Sequence, residues 1–173
     1  MTVRPILRYP DPRLTMAAAA VSAFDEELRA LAGDLLDTMR AAPGIGITAP
    51  HIGVLQRLIV IELSAADGVR TYVNPQIAWA SADLARHEEG SVSMPGVTET
   101  LERPARVRVH YQDLTGASRL EEADGLLAVC LQHEIDQLDG LFWVRRLTKL
   151  KRDRLIKLDD ASRITRPKSW PVV

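Results

Sequence analysis

The stretch from Asp124 to Leu138 constrains the fold more than any other part of the chain. Leu126, Leu127, Cys130, Leu131, Ile135 and Leu138 form a broad apolar face on a predicted helix. A helix with so wide an apolar face belongs deep in a core, with other elements wrapped around it. Gly140 supplies its stop. The 173 residues suit a single domain spanning 1–173, long enough to bury a sizeable core without covalent staples.

The wrapping elements are legible in outline. The first 21 residues read as an extended arm, because Tyr9-Pro10-Asp11-Pro12-Arg13 resists helix and favours a turn. A helix then follows, with Ser22 as the expected N-cap. Phe24, Leu28, Leu31, Leu35, Leu36 and Met39 form its apolar stripe, and Pro43 and Gly44 end it. Short strands are expected at 57–61, 71–74, 105–111 and 119–121, from β-branched runs and period-2 alternation. On the third of these, His110 takes an exposed polar position. His87 reads as a solvated strand-end residue. A last amphipathic helix covers roughly 147–163, with Leu150, Leu155, Ile156 and Leu158 expected inward. The fold class is α+β, with short antiparallel sheets around one central helix and further helices near each end.

Charge and cysteine content narrow the functional classes. Lys and Arg number 22 against 23 Asp and Glu, which argues against a DNA binder relying on overall positive charge. Residues 148–168 nonetheless hold eight Lys or Arg and three Asp, a local +5 that makes a basic C-terminal helix. A lone cysteine excludes an internal disulfide framework and points to a reducing compartment. No apolar run approaches the ~20 residues a bilayer span needs, and no signal-peptide pattern opens the chain. The expected location is the cytoplasm, with neither membrane nor DNA as partner.

Three segments carry the chemistry. Gln132-His133-Glu134-Ile135-Asp136-Gln137-Leu138-Asp139-Gly140 lies on the core helix and comes within one residue of a His-Glu-x-x-His motif. In that motif two imidazoles one turn apart bind a metal and the Glu acts as general base on bound water. Gly44-Ile45-Gly46-Ile47-Thr48-Ala49-Pro50-His51-Ile52-Gly53 is a glycine-punctuated loop suited to close approach by a ligand, and it lacks the Gly-Lys-Ser/Thr of a phosphate loop. Glu89-Gly90-Ser91-Val92-Ser93-Met94-Pro95-Gly96 is the third segment.

Together, and in this order, they resemble the peptide deformylases, whose motifs run approximately Gly-x-Gly-x-Ala-Ala-x-Gln, Glu-Gly-Cys-x-Ser and His-Glu-x-x-His. The resemblance extends to Tyr9–Leu14, Val73-Asn74-Pro75, Glu122–Leu126 and the last helix. It implies a cytoplasmic, bacterial-type hydrolase that removes the N-formyl group from nascent polypeptides with one metal ion, usually Fe²⁺. It also implies that Glu134 is the general acid/base. Gly46 and the Val92 backbone N–H would contact the peptide, and Cys130 would line the side-chain pocket. The last helix gains a possible contact with the ribosome, and an extended tail containing Trp170 would follow it.

The departures fall on the chemistry. Ser91 stands where the family has a cysteine ligand, Gln137 where it has its second histidine, His51 where it has the glutamine, and Thr48 where it has an alanine. Of the three ligands only His133 remains. A neutral hydroxyl and an amide oxygen are poor substitutes for a thiolate and an imidazole on a transition metal. Without metal, bound water keeps a high pKa and the nucleophile is lost. The expectation is a deformylase-like protein that binds no metal, with lost or strongly reduced activity. Ser91, Gln137 and His133 would hydrogen-bond one another in the vacated site. One alternative is an active amide hydrolase with a rearranged Fe²⁺ or Zn²⁺ site built from His51, His133 and Glu134. Another uses Ser91, His133 and Glu134 as a metal-free nucleophile, base and partner, although Glu134, adjacent to His133 on the helix, points elsewhere and is a poor orienter. A third is a ribosome-associated, non-enzymatic peptide-binding protein.

Overall fold

A computed structural model describes residues 2–165, with side chains described as far as Ser162. Three α-helices and seven strands make up the regular structure: α1 (Glu26–Ala41), β1 (Gly46–Thr48), β2 (Leu58–Ile61), β3 (Arg70–Ala80), β4 (Leu84–Ser91), β5 (Met94–Pro104), β6 (Arg106–Gln112), β7 (Ser118–Asp124), α2 (Gly125–Leu138) and α3 (Lys149–Thr165). Five strands form an antiparallel sheet in the order β1-β2-β3-β6-β7, while β4 and β5 pair as a separate hairpin. The α+β class therefore holds. Among the described residues no helix is long and apolar enough to cross a membrane.

The central helix is enclosed as its composition requires. Ala128, Leu131, Ile135 and Leu138 pack on Ile59, Ile61, Tyr72, Val107 and Val109 from the sheet. On the other side of β2, Leu58 and Val60 join Leu28, Leu35 and Met39 of α1. A third cluster joins Leu14, Met94, Val97, Leu101, Phe142, Trp143 and Leu155, seating the β4–β5 hairpin against the C-terminal segment. Gly140 takes φ +77°, and a Cβ there would lie 2.8 Å from the Thr15 carbonyl oxygen, so the arm packs directly on the end of α2.

Several expectations need correction. Asp25, not Ser22, caps α1, its carboxylate accepting the Leu28 N–H at 3.1 Å. The segment 44–53 is not wholly loop: it contains strand β1 and a short 3₁₀ turn at Ala49–Ile52. The sequence reading gives only a strand end at His87 where the β4–β5 hairpin lies, because Gly, Pro and charged residues interrupt its alternation; His87 is instead half-buried within β4. In α3, Leu155 is buried, but Leu150 and Leu158 are 83% and 51% exposed rather than inward. Lys151 and Arg154 instead reach Glu99 on β5, at 3.1 and 2.7 Å. His110 is exposed on β6 as expected, whereas the tail containing Trp170 lies outside the described residues.

Candidate active site

A cleft of about 360 Å³ opens where α2, the β1 segment and the β4–β5 hairpin meet. Gly46, His51, Ser91, Val92, Cys130, His133 and Glu134 all line it. The three sequence segments are thus brought together, with one exception: Gln137 is absent from the lining. Its amide Nε2 donates instead to the Leu14 carbonyl at 2.8 Å, buried beneath the N-terminal arm. The mutual Ser91–Gln137–His133 network expected from the sequence therefore does not form. Ser91 Oγ accepts the Ser93 backbone N–H at 3.2 Å, and the His133 ring bonds elsewhere.

That other partner is Glu89. Its Oε2 lies 2.9 Å from His133 Nδ1. The same carboxylate receives a two-pronged contact from Arg103, at 2.6 and 2.9 Å. Arg103 also donates to Asp136 at 2.8 Å, and Asp136 accepts two bonds from Arg146, at 2.9 and 2.5 Å. Five alternating groups therefore run from the cleft to a half-exposed guanidinium. Burial pushes the Glu89 carboxyl up, but the bonds from His133 and Arg103 outweigh it and bring the pKa to about 2. An ionised carboxylate only accepts, so His133 Nδ1 carries a proton directed at Glu89.

Arg103 and Asp136 are not among the residues the motifs single out, yet both leave a signal. Arg103 falls in the buried phase of β5, two residues after Leu101. Asp136 sits within the most buried helix of the chain. A charge at an inward position implies a buried partner of opposite sign.

The opposite wall differs. His51 is 1% exposed, and its Nδ1 accepts the Thr48 backbone N–H at 3.0 Å, as the third helical residue of a capping box does. The Thr48 hydroxyl lies 2.9 Å from the same nitrogen. Burial, reinforced by nearby His133, lowers the His51 pKa to about 3, so the ring is neutral near pH 7. With Nδ1 accepting, its proton resides on Nε2, a buried donor without a partner. Glu134 is also buried. Desolvation raises its pKa to about 7, and its Oε2 has no hydrogen-bond partner. Its approach to His51 Nδ1 is only 4.0 Å. Gly46 closes in from the edge strand. A Cβ on it would meet Cys130 Sγ at 2.6 Å and Glu134 Oε1 at 2.8 Å.

Cys130 lines the cleft but is buried, and desolvation holds its thiol well above the ordinary range, which makes it an inert wall. Among the described residues, no three His, Cys, Asp or Glu side chains are grouped so as to hold a metal ion. The alternative His51–His133–Glu134 grouping is therefore not assembled in this geometry.

Comparison with known proteins bears on the family and the fold. The family model described as polypeptide deformylase matches residues 3–153. A Brucella melitensis protein named peptide deformylase-like is 66% identical over 157 residues, covering 91% of this chain and 96% of its own. A Phenylobacterium zucineum protein named peptide deformylase is 47% identical, with 91% and 95% covered. The crystal structure of a peptide deformylase from Legionella pneumophila superposes with a TM-score of 0.89 at 40% identity, covering 96% of this chain and all of that one. Sequence, architecture and the convergence of the three motifs on one cleft lead to the same place: this chain belongs to the polypeptide deformylase family.

Proposed function

We propose that this protein is a deformylase-fold, cytoplasmic peptide-binding protein. Its cleft receives the N-terminal segment of a nascent polypeptide, and formyl removal by the family's metal route is lost or strongly reduced. The observation that carries this reading is the orientation of Gln137, whose amide is held by the Leu14 carbonyl away from the cleft. Ser91 offers a neutral hydroxyl, leaving His133 as the one strong donor at the three ligand positions. The residues present do not fit Fe²⁺ or Zn²⁺, which favour thiolate, imidazole and carboxylate ligands at about 2.0–2.3 Å.

Peptide recognition is better provided for. Gly46 lets a backbone approach the edge strand. The neutral His51 Nε2–H is suited to a carbonyl oxygen, joined by the Val92 N–H. Glu134, close to half ionised near neutral pH, can exchange a proton with a bound amide. Cys130 forms part of the side-chain wall. The basic last helix is a possible ribosome contact, with Lys151 and Arg154 already engaged by Glu99.

Two measurements test the reading. Elemental analysis of untagged protein purified without oxygen should show well under one transition-metal ion per chain. Calorimetric titration with N-formylmethionyl tripeptides should show binding without turnover. One equivalent of metal with formate release would overturn it.

A further inference from the structure

The side chains of the cleft carry charge of one sign. Among the described residues that line it, Glu88, Glu89 and Glu134 bear carboxyl groups and none is Lys or Arg. Two of these are engaged. Arg103 and His133 hold Glu89, and the Thr98 hydroxyl donates to Glu88 at the exposed rim. Glu134 is 4% exposed, and its Oε2 has no hydrogen-bond partner. On the same wall, His51 Nε2 is equally enclosed and equally without a partner. On the metal-free, peptide-binding reading of the site, we propose that the cleft selects peptides with a free, unformylated N-terminus. The α-ammonium donates to Glu134, and the carbonyl oxygen of the first residue accepts from His51.

Charge decides between the free and the formylated terminus. A carboxylate enclosed without a counter-charge is costly, and a cation beside it removes that cost. An α-amino group is mostly protonated at pH 7. Formylation turns it into a neutral amide with a single N–H, which leaves the carboxylate uncompensated. Hydrogen bonds from a cationic donor are also about twice as strong as neutral ones. Ser91 and Gln137 replace the thiolate and imidazole that would hold a metal cation beside Glu134. A cationic ligand is then the remaining source of positive charge for this wall.

The spacing suits the main chain of one residue. His51 Nδ1 lies 4.0 Å from Glu134 Oε2, and Nε2 belongs to the same small ring. The α-nitrogen and carbonyl oxygen of one amino acid are joined through three bonds and lie about 3 Å apart. A single N-terminal residue therefore reaches both groups. Gly46 leaves room for its backbone, because a Cβ there would fill the space beside Glu134. Ile45, Leu126, Val129 and Cys130 offer an apolar wall to an aliphatic first side chain. Such a ligand is the product of formyl hydrolysis and not its substrate, so a separate formyl-amide hydrolysis must supply it.

The test is calorimetric titration of the full chain in EDTA with the tripeptide Met-Ala-Ala and its N-formyl and N-acetyl forms. The free-amine peptide should bind at least about tenfold more tightly than either capped form. Glu134→Gln keeps the shape and removes the charge. It should shrink the preference to within about twofold, with folding checked by circular dichroism. Glu88→Gln, at the rim, should leave the preference in place. A preference that survives Glu134→Gln, or that disappears in Glu88→Gln, is attraction to the rim and overturns the assignment. Should Glu134→Gln fail to fold, the three peptides on the unaltered chain and on Glu88→Gln still decide the matter. Formylated peptide binding as tightly as the free amine, or more tightly, overturns the proposal and leaves the peptide-binding reading intact. Binding of none of the three, or release of formate, overturns that reading and the proposal with it.

Discussion

The two walls of the cleft solve the problem of buried polarity in opposite ways. On one side His133, Glu89, Arg103, Asp136 and Arg146 alternate in a chain of hydrogen bonds. On the other, His51 Nε2 and Glu134 Oε2 are buried with no partner. A satisfied chain of this kind specifies geometry, since every group is held by its neighbours. Unpartnered polar atoms cost about 1–3 kcal/mol each and persist where a ligand supplies the missing bond. Under the proposed function, one wall is scaffold and the other is recognition surface. Ser91 lies in the same cleft, whereas Gln137 is held beneath the N-terminal arm.

The sharpest way to break this contrast is to rebuild the metal centre. Ser91→Cys with Gln137→His should convert His133 from a member of the scaffold into a ligand. Zinc affinity should rise roughly a thousandfold or more, read by competition with a chromogenic chelator, because complete sites reach about 10–16 kcal/mol. If the introduced imidazole kept to the Leu14 carbonyl, as the Gln137 amide does, affinity would stay low, showing that the arm rather than residue identity blocks the site.

Cutting the scaffold wall comes next. Arg103→Met strands Glu89 and Asp136 together in the interior and should cost about 3–5 kcal/mol in urea unfolding. A loss below about 1 kcal/mol would show the chain of bonds to be dispensable. Gly46→Ala should cost less, about 1–3 kcal/mol, because its Cβ collides with Cys130 and Glu134. Peptide binding should weaken as well, since the methyl group occupies the cleft.

The smallest effects are the most diagnostic of the recognition wall. The Glu134 carboxyl has its pKa raised from 4.5 to about 7 on folding, so the native state binds more protons than the unfolded chain between those values. Stability from this group is therefore lost as pH rises from about 4.5 to 7, and Glu134→Gln should remove that fall. His51 works in the opposite direction. Its pKa drops from 6.5 to about 3, so the unfolded state binds the extra proton and stability climbs with pH across that window. His51→Gln should flatten the climb. Urea midpoints measured from about pH 3 to 8 separate the two, which oppose each other between about 4.5 and 6.5.

How much of this was legible in the chain depends on whether the signal was local. The central helix was, because its apolar residues alone demand enclosure. Ser91, Gln137 and His51 were equally legible as departures, because a motif fixes spacing and any substitution stands out against it. The interrupted hairpin was harder. Glu89, Gly90, Pro95 and Gly96 break the alternation that marks a strand, and only pairing across the ladder from Leu84↔Pro104 to Ser91↔Met94 defines it. Leu150 and Leu158 misled for a related reason. Helical spacing gives a face, but the ion pairs of Lys151 and Arg154 with Glu99 help set how that face meets the rest of the molecule.

Residue identity and spacing were enough for the family, the α+β class and the motif departures at Ser91 and Gln137. What the remaining groups bond to was settled only by folding. Gln137 turned to a carbonyl 123 residues away, and His133 took a carboxylate 44 residues away as its partner. Side-chain hydrogen bonds form between neighbours in space, and long-range neighbours exist only once the chain has folded.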